Sequence, residues 1–134
     1  MAMKTISVKT GDVSYQLTDE TGNVVGVLRF NPYDPDIIRR SEEFKKWASE
    51  LKLSDELSMK DLLKLSDEVR ERFDLFLNRK ASEELFKANS PIAILDNGEF
   101  YFQQMITIVR DIIEDVVKNR NKKIDAAVKD IVGE

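Results

Sequence analysis

The chain has 134 residues, 42% of them hydrophobic, a length and composition suited to one core without metals or crosslinks. It has no cysteine and no histidine, which excludes disulfides, thiolate chemistry and imidazole proton relays. A net charge of −4 from 25 acidic and 21 basic residues is finely interleaved, so no segment offers the basic stripe that a phosphate backbone needs.

Catalysis would have to rest on carboxylates, lysines, tyrosines and hydroxyls alone. The expectation is a protein that is not an enzyme, with no catalytic residue, no cofactor and no metal. Its N-terminus lacks an apolar stretch of signal-peptide length, and its apolar runs are far too short for a membrane span. A cytoplasmic protein with neither nucleic acid nor membrane as partner is expected.

The first thirty residues carry strand periodicity. Ile6-Ser7-Val8-Lys9 and Val13-Ser14-Tyr15-Gln16-Leu17 alternate apolar and polar around Gly11-Asp12, and a second turn signal over Thr18 to Asn23 precedes the β-branched run Val24 to Phe30. The pattern predicts a three-stranded antiparallel meander within residues 1–30, with Gly26 marking a bulge or a weak point in the last strand.

Asn31-Pro32-Tyr33-Asp34-Pro35 ends the sheet, because neither proline can donate to a ladder, and it starts a helix with Asp34 as N-cap and Pro35 at the first position. From there the period changes to 3.6. Ile37, Phe44, Trp47, Ala48 and Leu51 share an arc of about 100° and predict a helix over 35–52. After a linker at Ser54 to Ser58, a capping box of Ser58 with Asp61 opens a second helix. Its Met59, Leu62, Leu65, Val69, Phe73, Phe76 and Leu77 lie within roughly 120°. A short piece from Ser82 to Ala88 carries Leu85 and Phe86, and Asn89-Ser90-Pro91 closes it.

The last helix is set apart by width. Asp96 and Glu99 have capping-box spacing before Phe100, and the apolar residues from Tyr101 to Val117 occupy about 180° of the wheel, too broad for one neighbour. The polar run Asn119 to Lys123 interrupts that face, and Ile124, Ala127 and Ile131 return in phase, predicting one helix to about residue 132. The whole reads as a single α+β domain over 1–134: a small N-terminal antiparallel meander (1–30), then a helical bundle (35–132) with a long C-terminal helix.

Few constellations carry chemistry. Asp34 and Asp36 form a D-x-D pair, but the spaced oxygens and bidentate glutamate of a calcium loop do not follow, and helix capping accounts for them. Glu42-Glu43 and Glu83-Glu84 are adjacent, so their carboxylates diverge on a helix instead of converging as an acid/base dyad must. Lys118, Arg120, Lys122 and Lys123 read as dipole complementation and solvated surface. Phe100-Tyr101-Phe102 reads as an anchor of the long helix in the core. The wide face is left as the candidate partner-binding surface: Tyr101, Met105, Ile106, Val109, Ile113, Val116, Val117, Ile124 and Ile131. The distal members, Val116, Val117, Ile124 and Ile131, are expected to serve association, and the proximal ones to be shared with the core.

In the order of its elements the chain resembles the tail assembly chaperone-like proteins of phages and prophages of Gram-positive bacteria. The likeness runs through a small strand region ending in Phe30-Asn31-Pro32-Tyr33-Asp34-Pro35, charged helices, Ala81-Ser82-Glu83-Glu84-Leu85-Phe86 before a loop, and an aromatic-led last helix ending in Arg120 to Lys123. Family members often place a glycine where this chain has Ala81. The resemblance implies a virion-assembly factor in the bacterial host cytoplasm that coats a hydrophobic helical tape measure protein until tail tube components polymerise around it. It implies no catalytic residue. The leading reading is a binding or chaperone module of this kind, with a homo-oligomer as one open state. The competing readings are a structural head or tail completion component or another oligomeric interaction module and, from a different class, a hydrolase using converging carboxylates alone.

Overall fold

The computed structural model describes residues 2–51 and 57–132, with side chains described through Lys122 and again at Val128 and Lys129. It is an α+β fold: an N-terminal antiparallel β-hairpin followed by helices, the last of them long. Strands β1 (Val13–Thr18) and β2 (Val24–Phe30) pair from Val13 opposite Phe30 to Thr18 opposite Val24. The turn between them is organised by Asp19, whose Oδ1 accepts the backbone N–H of Thr21 (2.9 Å) and of Asn23 (3.0 Å) as well as the Thr21 hydroxyl (2.7 Å). Gly22 takes the positive φ of 87° that this reversal demands.

The expected third strand is absent among the described residues, and the meander is a hairpin. Ile6 and Val8 are 83% and 73% exposed. Asp12, placed by the sequence in a turn, is held by Arg79 (2.7 Å) and Arg29 (3.6 Å), and the Asn31 side-chain amide donates to the Thr10 carbonyl at 2.6 Å. These contacts carry the chain past the end of β2 instead of folding it back along β1.

Gly26 sits beside the register shift that follows Leu17, and it has a sharper role as well. The backbone of Glu84 approaches so closely that a Cβ at position 26 would overlap the Glu84 carbonyl oxygen.

Helix α1 (Asp36–Ser49) ends earlier than the sequence predicts. Its entry is as expected in chemistry: Pro35 has helical dihedrals of −58° and −25°, and Asp34 Oδ1 accepts the Asp36 N–H at 3.0 Å, two positions on, as a capping carboxylate does. Helix α2 (Met59–Leu77) opens with the predicted capping box, Ser58 Oγ accepting from Asp61 N (3.1 Å) and Asp61 Oδ2 from Ser58 N (3.3 Å). It stops at Asn78 in the left-handed region, φ 55°. Met59, counted by periodicity in the buried arc, is 72% exposed, and Ser58, Lys60 and Asp61 around it are exposed as well.

Asp74, in the last turn of α2, caps the one-turn helix α3 (Ser82–Leu85). Its Oδ1 accepts from Ala81 N (2.9 Å) and Ser82 N (2.8 Å), and its Oδ2 from the Ser82 hydroxyl (3.1 Å). Ala81 has φ −91° and ψ −27°, a conformation open to any L residue, so alanine serves here without strain.

Helix α4 runs Tyr101–Val132. The Asp96 and Glu99 box does not form. Residues 95–99 close instead as a tight turn with Leu95 N donating to Glu99 O (2.8 Å) and Gly98 at φ 84°, and Gln103 reaches back to accept from Phe100 N at 2.7 Å. Glutamine three residues into the helix does what glutamate was expected to do.

One chain of edge-on rings ties helices α1 to α4 together. Phe44 of α1 meets Phe73 of α2 (5.0 Å), Phe73 meets Phe86 at the end of α3 (5.1 Å), and Phe86 meets Tyr101 of α4 (6.2 Å). Trp47 joins at the α1 end, edge-on to Phe44 (5.5 Å) and under the Arg72 guanidinium (5.4 Å). Leu28 and Phe30 of β2 close the core beneath them.

Candidate groove between the first and last helices

The apolar face of α4 divides lengthwise. Tyr101, Met105, Val109 and Ile113 recur every four residues and are buried, Val109 completely. They belong to the domain's own core, and burial pushes the pKa of the Tyr101 phenol above the usual tyrosine range. Four of the nine candidate partner-binding residues are therefore consumed inside the domain, with Ile113 also reaching its edge.

The flank of that face borders a groove. Where α1 and α4 run past each other the surface sinks into two adjoining hollows of about 310 and 220 Å³ that share Ser41, Lys45 and Arg110. One is walled by Ile38 of α1 and by Ile113 and Val117 of α4. The other has Phe44, Phe76 and Phe102 beneath it, with Ala48, Leu51 and Ile106 at its sides. Of the candidates, Ile106, Ile113 and Val117 are brought together here. Val116 is half-buried on a neighbouring line of α4 and lines neither hollow. The side chains of Ile124 and Ile131 lie outside the described residues.

The rim carries Glu42 and Lys45 from α1 and Arg110, Glu114 and Lys118 from α4. No ion pair joins these groups to each other or to another side chain among the described residues. Unpaired charges of both signs above an apolar floor suit a ligand that is itself apolar on one side and charged on its flanks. Ser41 is the one hydroxyl of the lining, and Glu42 and Glu114 are its acidic groups. Among the described residues no three acidic side chains gather as a metal cluster, and no helix is long and apolar enough to cross a membrane.

Sequence reasoning missed the α1 wall. Ile38 is 47% exposed and lies one residue, or 100°, out of phase with the buried stripe of Ile37 and Phe44. The doublet Ile37-Ile38 was the available signal: one member faces the core and the other must face something else.

Comparisons with protein-family models, with curated proteins and with solved structures gave no match for this chain.

Proposed function

We propose that this chain is a non-enzymatic assembly chaperone of the phage and prophage tail type, which holds one face of a hydrophobic helical partner, the tape measure protein, in the groove between α1 and α4. The resemblance in the order of its sequence elements supports the assignment to tail assembly. The observation that carries the binding mode is the groove: an apolar floor of Phe44, Phe76 and Phe102, half-buried walls, and an unpaired rim of both signs. An amphipathic helix laid along it covers the wall residues and offers its flanking charges to the rim, so that reversible coating needs no further chemistry. An assembly factor of this kind acts in the host cytoplasm and is released as tail tube subunits close around its client.

The test is co-expression with a phage tape measure protein. The wild-type chain should keep that partner soluble and co-purify with it, whereas Ile38→Asp and Val117→Asp, both at partly solvated positions, should release it without loss of the cooperative melt. Val109→Asp puts a carboxylate at a fully buried site and should unfold the domain, since such a group costs several kcal/mol. Undiminished co-purification by both groove variants would remove the groove from the proposal.

A further inference from the structure

The hairpin leaves one side of β1 without a neighbour. Among the described residues no backbone group of Val13–Thr18 bonds to anything outside the β1 and β2 pairing. A bare edge of six residues is a template for another strand, and a two-stranded sheet is the smallest that folds. The same chain carries an extended segment with strand periodicity and no partner. Residues 4–9 alternate Lys4, Thr5, Ile6, Ser7, Val8, Lys9, and the two apolar members are exposed. The segment matches the edge in length, six residues against six. It also matches in charge, with a lysine at each end while Asp12 and Asp19-Glu20 flank β1.

The segment is steered away from its own edge. Asn31 grips the Thr10 carbonyl, and Asp12 is pinned between Arg79 and Arg29, so the chain is held beside the end of β2 just before β1, and residues 4–9 do not pair with their own β1. A second copy related by a two-fold axis near Gly11 and Asp12 can receive them, each segment lying antiparallel to the other copy's β1.

We infer that residues 4–9 form an exchanged strand, which docks on the free β1 edge of a second copy of this chain and turns two hairpins into one sheet with no bare edge at β1. The apolar pattern selects the register. Ile6 lies opposite Leu17 and Val8 opposite Tyr15 on the core side, and this alignment sets Lys4 opposite Asp19 at the open end and Ser7 opposite Gln16 on the solvent side. The interface uses neither wall of the α1 and α4 groove and stands whether or not the groove binds a tape measure protein.

The experiment uses the full chain. Light scattering across a concentration series should show a species of twice 15.4 kDa, and Ile6→Pro, which removes a ladder donor at an exposed site, should return the monomer mass with its helical circular dichroism intact. The double variant Ser7→Cys with Gln16→Cys, in a chain otherwise without cysteine, should on oxidation run as a disulfide-linked dimer. A wild type monomeric at every concentration, a dimer that survives Ile6→Pro, or an internal disulfide in a monomer band would each overturn the inference. The last of these would show the segment folded on its own β1.

Discussion

Replacing Asp74 with alanine isolates a carboxylate that faces an unfavourable helix end. Asp74 lies in the last turn of α2, where a negative charge opposes the dipole by roughly 0.3–1 kcal/mol. Its compensation lies in α3, a helix of four residues that cannot nucleate itself. Removing the carboxylate leaves the Ser82 N–H, now at 2.8 Å from Oδ1, without an acceptor, and leaves the Ala81 N–H with the Arg79 carbonyl (2.9 Å) alone. At roughly 1–3 kcal/mol for one unsatisfied donor, with the weaker loss of a shared bond at Ala81 offset by the dipole relief and by water reaching part of this surface, the net loss is about 1–2 kcal/mol. Urea unfolding measures it as a fall in midpoint at constant slope. The Asp74→Asn variant keeps a carbonyl oxygen for the two N–H groups and should recover about half of the loss. A loss under about 0.5 kcal/mol in the alanine variant, or an asparagine variant no better than alanine, would refute the view that this side chain holds α3 in place.

Gly26→Ala should lower the thermal midpoint by several degrees, about 1–3 kcal/mol, because the added methyl meets backbone at Glu84 and no side chain there can swing aside. Asp34→Ala should cost about 1 kcal/mol in chemical denaturation through the lost bond to Asp36 N, and calcium should leave the melting temperature of the wild type unchanged. Asp12 has its pKa depressed, chiefly by the Arg79 hydrogen bond, so the stability it contributes is present above its unfolded pKa and lost as pH falls through the lower folded value. Asp12→Asn should therefore flatten the acid side of a stability profile below about pH 4 and leave its neutral side parallel to wild type.

The elements that the sequence disclosed are those whose cause is local. Ser58 with Asp61, Pro35 beside Asp34, and the Asp19 to Asn23 turn each make their bonds within five residues, and all three formed as predicted. What the sequence hid depends on partners far along the chain. Period two over Ile6 to Lys9 is a real strand pattern, but its docking was decided by Asn31 and Arg79, 21 residues from Thr10 and 67 from Asp12. The 180° face of α4 gave the right width and could not say which line of it meets the core. The choice fell to the ring chain, which seats Tyr101 against Phe86 and so turns Met105, Val109 and Ile113 inward while leaving Ile106 and Val117 at the margin. The α1 wall of the groove stayed hidden because Ile38 falls outside the stripe of Ile37, Phe44, Trp47, Ala48 and Leu51 and belongs to a second line of the helix.

The ring chain also makes the molecule its own optical instrument. Its single indole, Trp47, is half-buried at the seam of α1 and α2, touching Phe44 and capped by Arg72, while Phe44 also lies beneath the groove. Emission excited at the indole band thus comes from one place, a single ring away from whatever occupies that groove. A ligand seated there shifts the light through Phe44, whereas events confined to the hairpin, such as pairing at the β1 edge, leave the spectrum unchanged. Spectroscopy on the unlabelled chain accordingly separates its two surfaces.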